Sequence, residues 1–257
     1  MEQSNRLTWP VLSRYDQEHT SRIALPLGGV GTGTVSLGGR GNLQDWEIVN
    51  RPAKGFTPEN TFFAIRTSAE SGEPVLRALE GALPPQLYEG WRGSPAANAG
   101  LPRFRNHSFQ SAYPFGMVLL DDPDVPVDVR LEAFNPLIPC EADLSGIPVA
   151  ILRFVMTNKT VETLSASVCG SMQNFIGTDG SLGSPKANKN SLRKEGGIPG
   201  NIFPLGRGQS GGGTMGHFGS HDYKRRRDHL PDEVGRTELG QLASRFLGRL
   251  RKRWAAG

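Results

Sequence analysis

Cysteine is scarce in this chain: only Cys140 and Cys169 occur among its 257 residues. Two cysteines are too few for the disulfide framework of a small secreted domain, and no CxxC spacing suggests a zinc site. We expect both thiols to be reduced and buried in a cytoplasmic protein. The sequence predicts no metal site and no organic cofactor.

Long hydrophobic runs are lacking as well. No apolar stretch approaches the roughly 18 residues that a membrane-spanning helix needs. The N-terminal stretch MEQSNRLTWPVLSRYDQEH is polar and has no apolar segment of the kind found in signal peptides. These features predict cytoplasmic localisation and no transmembrane segment.

The main body of the chain has no excess of positive charge. Residues 1–200 contain 18 Lys/Arg and 20 Asp/Glu, a net charge of −2, whereas residues 201–257 contain 11 and 5, a net charge of +6. The overall charge of +4 therefore comes from the tail. A nearly neutral body gives no electrostatic reason to expect a nucleic-acid partner.

Glycine and proline are abundant, and their 33 and 19 residues make up about a fifth of the chain. Short runs of alternating or continuous apolar residues lie between them, without a sustained helical pattern before residue 230. This composition is typical of strands joined by turns. It predicts an all-β fold, an antiparallel β-sandwich with long loops at 83–102 and 177–200. The strands are expected within 23–49 and near 61–67, 115–120, 125–134, 147–157 and 163–176.

The stretch LPLGGVGTGTVSLGGRG (25–41) is the most unusual in the chain. Glycine-rich backbone can bind phosphate, but the spacing matches neither a dinucleotide fingerprint nor a P-loop, and no helix pattern follows. We interpret these glycines as structural. They allow a strand to bend, to form a bulge and to lie close to another backbone.

Charged side chains surround a tryptophan immediately after the glycines. Aromatic rings beside charged and amide groups are typical of sugar sites, because sugar C–H faces stack on rings and hydroxyls bond to polar groups. Asp45 and Glu47 would share one face of a strand. They are either a catalytic carboxylate pair or, as we favour, structural partners of Arg40 or Arg51. The candidate residues for carbohydrate binding or a domain interface are Arg40, Asp45, Trp46, Glu47, Asn50, Arg51 and Trp91.

Three separate blocks of the sequence resemble glycoside hydrolase family 116, the β-glucosidase and glucosylceramidase family. The blocks are IALPLGGVGTGTVSLGGRGNLQDWEIVNRPAKG (23–55), LEAFNPLIPCEADLSGIPVAILRFVMTN (131–158) and SMQNFIG (171–177). The resemblance covers roughly residues 10–200. It implies an N-terminal β-sandwich that precedes an (α/α)6 catalytic domain, the partner missing from this chain. The family's nucleophile and acid/base lie in that later domain, so no catalytic residue maps onto this chain.

The tail, residues 201–257, departs from the family. It contains RRR (225–227) and RLRKRW (249–254), with apolar residues at helical spacing, which predicts a basic amphipathic helix for a membrane surface or a partner groove. A second interpretation starts from possible codons. When possible codons for residues 211–217 and 228–240 are translated one base later, the resulting amino-acid sequences resemble the family's own sequence after its SMQNF-like strand. We therefore expect an incomplete sandwich over 1–200 and a disordered or out-of-frame tail.

Three functions remain open on the sequence. The favoured one is the truncated, non-catalytic N-terminal domain of a retaining β-glucosidase, a chain inactive by itself although the intact enzyme hydrolyses β-glucosides. The second is a stand-alone carbohydrate-binding module that uses Trp46 or Trp91 as a stacking platform. Both rings are alternatively core or interface residues. The third is a protein that associates with membranes or nucleic acid through its basic tail.

Overall fold

The computed structural model describes residues 13–48, 52–69, 72–91, 93–135, 137–174, 190–195 and 198–202. The chain divides into two compact units, Met1–Gln173 and Asn174–Gly257. Of the predicted tail, residues 203–257 lie outside the described residues. The structure therefore does not test the amphipathic helix or the out-of-frame sequence expected in this tail.

Short strands dominate the described part of the chain, as the turn-rich composition predicts. The only helical segments described are α1 (Ala142–Ser145) and two single 3-10 turns, Gln17–His19 and Pro85–Leu87. The strands in chain order are β1 Ser13–Tyr15, β2 Ala24–Leu27, β3 Gly33–Gly38, β4 Leu43–Ile48, β5 Phe62–Ala69, β6 Val75–Gly81, β7 Arg103–Phe104, β8 Asn106–Ala112, β9 Phe115–Asp121, β10 Val127–Phe134, β11 Ile151–Asn158, β12 Leu164–Ser171, β13 Ser191–Glu195 and β14 Ile198–Ile202.

A five-stranded antiparallel sheet with the order β1-β8-β9-β10-β11 forms one layer of the first unit. Its strand β10 (VDVRLEAF) alternates buried apolar and partly exposed polar residues, the pattern of a sheet with one face on a core. The buried row of β10 consists of Val127, Val129, Leu131 and Ala133.

A second sheet has the order β12-β5-β6-β7 and provides the other layer. Its strands are antiparallel except for the short β6–β7 pair, which is parallel. Ile65 and Leu79 from this sheet belong to the same buried cluster as Leu131 of the first sheet. The two layers also meet at Phe63 and Phe154, whose ring centroids are 5.1 Å apart. An all-β sandwich is therefore confirmed.

The glycine-rich stretch forms a three-stranded sheet, β2-β3-β4, that contributes Leu25, Leu27 and Leu37 to the core. Gly28 connects β2 to the following turn with φ of +126°, a conformation that a side chain disfavours. A Cβ on Gly29 would lie 2.4 Å from the Gly146 carbonyl oxygen, so another backbone passes close to it. The structural interpretation of these glycines is confirmed.

Two expectations from the sequence are wrong. The segment 177–200 was expected to be a loop, but its described end forms a hairpin in the second unit, in which β13 pairs with β14. Strand β13 (SLRKE) carries three consecutive charged residues, and β14 (IPGNI) contains proline and glycine, which explains why the pattern did not indicate strands. Cys140 and Cys169 are unbridged but exposed rather than buried.

Candidate functional site

Asp45 and Glu47 lie on β4 at a break in its pairing with β3. Thr34 pairs with Glu47 and Ser36 with Gln44, so β4 carries one extra residue between the two pairs. Asp45 occupies this bulge with φ of +51°, which Asp tolerates better than most residues. The bulge lets both carboxylates contact one short segment, residues 53–55.

Both carboxylates bind the backbone of this segment and its lysine. Asp45 is buried, and its Oδ1 accepts a hydrogen bond from the Gly55 N–H at 2.7 Å. Glu47 Oε1 accepts a hydrogen bond from the Ala53 N–H at 3.1 Å, and Glu47 Oε2 accepts one from Lys54 Nζ at 2.9 Å. The hydrogen bond from Lys54, aided by the one from Ala53, lowers the pKa of Glu47. Glu47 therefore remains ionised at neutral pH.

Arg40 or Arg51 was expected as the partner of these carboxylates, and the structure gives Arg40 a different partner. Arg40 instead pairs with Glu80 of β6, which also accepts a hydrogen bond from Arg103 Nε at 3.0 Å. The side chains of Arg40 and Glu80 are 13% and 9% exposed, so this ion pair is largely removed from water. Among the residues that the structure describes, the cation beside Asp45 and Glu47 is Lys54, which the sequence analysis did not single out. The other proposed arginine, Arg51, lies outside the described residues, as does Asn50.

The two candidate tryptophans differ in exposure. Trp46 is half-buried on β4, and its backbone N–H donates to the Phe56 carbonyl oxygen at 3.1 Å. Trp91 lies in the long loop that follows β6 and is 87% exposed. Trp91 is thus not a core residue, and of the two rings it is the one with an open face.

The Arg40–Glu80 pair borders a cleft of about 700 Å³ that the sequence analysis missed. His107 of β8 lines this cleft, and its Nε2 lies 2.9 Å from Thr20 Oγ1. Burial of the imidazole, together with the nearby Arg40 charge, lowers the pKa of His107 to about 4. His107 is therefore neutral at pH 7. Its hydrogen bonds within the fold indicate a packing role.

Most polar groups around the cleft also bond to one another. Gln17 Oε1 accepts a hydrogen bond from the His107 N–H at 3.1 Å, Asn42 donates to Gln44 at 2.8 Å, and Thr57 donates to the Leu43 carbonyl oxygen at 3.2 Å. A ligand would have to displace these bonds. Of the described cleft residues, Thr61 and His107 each keep one buried polar atom, Oγ1 and Nδ1, without a hydrogen-bond partner. The cleft residues come from distant parts of the chain, so no local motif in the sequence could have indicated them.

The described residues contain no group of three or more His, Cys, Asp or Glu side chains placed to hold a metal ion. Among the same residues, no helix is long and apolar enough to cross a membrane. The candidate site consists of the half-buried Trp46 on β4 and of the two carboxylates beside it, both paired with Lys54.

The fold that carries this site is an all-β sandwich domain. The family model described as "beta-glucosidase 2, glycosyl-hydrolase family 116 N-term" matches residues 24–226, and the chain belongs to this family. An N-terminal domain of this family implies a catalytic domain on its C-terminal side. The match extends past residue 200, the boundary expected from the sequence, so the position of that boundary stays a prediction.

Proposed function

We propose that residues 1–200 form the non-catalytic sandwich of a cytoplasmic, retaining β-glucosidase of the glucosylceramidase type. In such an enzyme a carboxylate attacks the anomeric carbon and a carboxylic acid protonates the leaving oxygen. Water then hydrolyses the glycosyl-enzyme. We assign both carboxyl groups to the (α/α)6 domain that the family resemblance implies. The chain by itself is expected to be inactive.

The observation that carries this proposal is the use of Asp45 and Glu47 as structural groups. A glycosidase acid needs a raised pKa so that it keeps its proton near neutral pH. The pKa of Glu47 is shifted in the opposite direction by Lys54. Asp45 is buried and bonded to the Gly55 N–H. Glu47 therefore lacks the environment of a catalytic acid, and the Gly55 N–H occupies Oδ1 of Asp45.

We also propose that the reading frame changes within the tail that begins near Asn201, so that the end of the tail, beyond the family match at residues 24–226, is not the family's own sequence. Sequencing the coding DNA across codon 200 and downstream tests this directly. A second frame that continues into a helical glycosidase domain is the expected result. A single frame that ends after codon 257, without such a domain in any frame, would contradict it.

The role of Asp45 and Glu47 can be tested in a full-length enzyme, expressed from a gene in which the two reading frames are joined. Turnover of an aryl β-glucoside should survive in the Glu47→Gln and Asp45→Asn variants, with kcat within a few-fold of the parent enzyme. Each variant keeps a side-chain oxygen that accepts a backbone hydrogen bond. Loss of turnover by several orders of magnitude in a variant with an unchanged melting temperature would assign chemistry to that carboxylate and refute the proposal.

A stand-alone carbohydrate-binding module is the second candidate, and the exposure of Trp91 is the observation that favours it. A sugar ring stacked on an exposed indole quenches or shifts its fluorescence. Titration of the chain with a β-linked gluco-oligosaccharide should then give a saturable signal that Trp91→Ala removes. Tyr88→Ala is the matched control, because Tyr88 is an exposed ring in the same loop, at 57% exposure. The absence of a saturable signal would exclude this role.

A further inference from the structure

The cleft beside the Arg40–Glu80 ion pair has the size of a small-molecule site. Its volume is about 700 Å³, within the range of roughly 300–1,000 Å³ that such sites occupy. Its described walls come mainly from residues 17–23, 39–61 and 82–98, all of which belong to the first compact unit. The cleft is therefore a feature of the sandwich unit itself.

One wall of the cleft, the loop 82–98, is held by Arg103 of β7. Arg103 Nε donates to Glu80 Oε2 at 3.0 Å, and its two terminal nitrogens donate at 2.9–3.2 Å to the carbonyl oxygens of Ala97, Asn98, Ala99 and Leu101. A guanidinium has five N–H groups, so all of them are used, and the side chain is only 5% exposed. This wall is preorganised, and a ligand loses little free energy in ordering it.

The charges around the cleft favour a neutral ligand. Among the lining residues that the structure describes, the charged side chains are Glu18, Arg40 and Glu80. Arg40 and Glu80 are paired, and Glu18 is exposed to screening by water. His107 is neutral at pH 7, because its pKa is lowered to about 4. The cleft also gives little attraction to the basic tail, which has a net charge of +6 over residues 201–257.

The amide and hydroxyl groups of the lining favour ligand groups that both donate and accept. Asn42 Nδ2 donates to Gln44 Oε1 at 2.8 Å, and a ligand that displaces this bond leaves one donor and one acceptor without partners. A hydroxyl group satisfies both, whereas an anion offers only acceptors and an ammonium group only donors. Thr61 Oγ1 is buried and has no hydrogen-bond partner among the described residues, and a ligand hydroxyl can supply one.

Apolar contacts in the cleft come from Ile23, Leu43 and Leu83 and from prolines of the loop wall. We propose that this cleft binds a neutral, hydroxyl-rich ligand of about one or two sugar rings, whose hydroxyl groups bond to Asn42, Gln44 and Thr61. The ring C–H groups would pack on the apolar side chains. The site is distinct from Trp91, which is not among the described lining residues. The proposal does not depend on the enzymatic function, because it assigns no reaction to the cleft.

Calorimetric titration of the full 257-residue chain tests the proposal. We expect saturable binding of D-glucose and of cellobiose, and at least tenfold weaker binding of glucuronate and glucosamine, which place a charge on the same ring. Ala97→Trp should lower the affinity at least tenfold, because Ala97 is exposed and lines the cleft, so that an indole there fills it. Ala150→Trp is the matched control. Ala150 is also exposed but is not a described lining residue, and this variant should bind like the parent.

A second pair of variants keeps the proposal testable if Ala97→Trp folds poorly. Thr61→Val removes the hydroxyl without a large change in volume, and it breaks no side-chain hydrogen bond among the described residues. It should keep the melting temperature of the parent and weaken sugar binding roughly two- to tenfold, the effect of one hydrogen bond. Thr67→Val is the control, because Thr67 is buried outside the described lining and should not affect binding.

Three outcomes would overturn the proposal. The first is no binding of glucose or cellobiose at any concentration, which is also the result expected if another segment of the chain fills the cleft. The second is binding that persists in Ala97→Trp and Thr61→Val but disappears in Trp91→Ala, which would place the sugar on the exposed indole. The third is tighter binding of glucuronate or glucosamine than of glucose, which would contradict a site for neutral ligands.

Discussion

Lys54 Nζ lies 2.9 Å from Glu47 Oε2 and 3.9 Å from Asp45 Oδ2, so a single lysine serves both carboxylates that flank Trp46. The Lys54 side chain is 72% exposed, whereas that of Asp45 is 9% exposed. Exposed ion pairs contribute little to stability. The stabilising contact is therefore the partly buried hydrogen bond from the Gly55 N–H to Asp45, which anchors the turn after β4.

The first prediction concerns this anchor. Asp45→Ala should lower the free energy of unfolding by about 1–3 kcal/mol, because it leaves the Gly55 N–H without its acceptor. Asp45→Asn is the matched control, since its side-chain oxygen can still accept this bond and Asn tolerates a positive φ. Urea unfolding of the three proteins measures the difference. Equal losses in both variants would show that the charge, and not the hydrogen bond, stabilises the turn.

The second prediction concerns pH. The pKa of His107 is lowered to about 4 in the fold from its ordinary 6.5, so the unfolded state binds the proton more readily. Stability due to His107 is thus complete above about pH 6.5 and is lost as the pH falls toward 4. The loss should reach up to about 3 kcal/mol, because one pKa unit corresponds to 1.36 kcal/mol.

The controls for this pH effect are two histidine variants. His107→Gln should lower stability at pH 7 and flatten the decline between pH 6.5 and 4. His19→Gln should leave that decline in place, because His19 is exposed and its pKa is raised by the hydrogen bond to Asp16. A slope that His107→Gln does not change would assign the acid sensitivity to other groups.

The third prediction concerns the close packing of Gly81 against the His107 ring. A Cβ on Gly81 would lie 2.2 Å from His107 Nδ1, and the Gly81 N–H donates to the Arg40 carbonyl oxygen at 2.7 Å, so neither group can move freely. Gly81→Ala should therefore cost about 1–3 kcal/mol by overpacking. Gly100→Ala should be nearly neutral, because no heavy atom lies within 4 Å of its Cβ position. Thermal melts of both variants compare them, and a neutral Gly81→Ala would mean that the ring relaxes.

The sequence predicted the strands that carry strong apolar patterns and missed those that do not. Strand β10 alternates along its length, and β11 is rich in β-branched and aromatic residues, so both were expected at nearly their observed bounds. Strand β8 (NHSFQSA) is polar on its outer row, and its inner row includes His107. It was missed because its polar composition gives no strand pattern by itself, although it pairs with β9 across the short turn at residues 113–114.

Only part of the site could be predicted from the sequence, and the physical reason is similar. The proximity of Asp45, Trp46 and Glu47 follows from their adjacency in the chain. Their cation does not, because Lys54 reaches them only after the turn folds back on β4. Similarly, Arg40 finds Glu80 on a strand that is 40 residues away in sequence. Local sequence indicates which groups are available, whereas strand pairing decides which of them meet.

The central claim is that this chain is a sandwich domain whose carboxylates beside Trp46 are structural. The most direct test is the turnover of 4-nitrophenyl β-glucoside by the purified 257-residue chain, measured beside its Glu47→Gln and Asp45→Asn variants. We expect all three proteins to release nitrophenol at the rate of buffer alone. Turnover by the parent chain that either variant abolishes, with the fold intact by circular dichroism, would contradict the account.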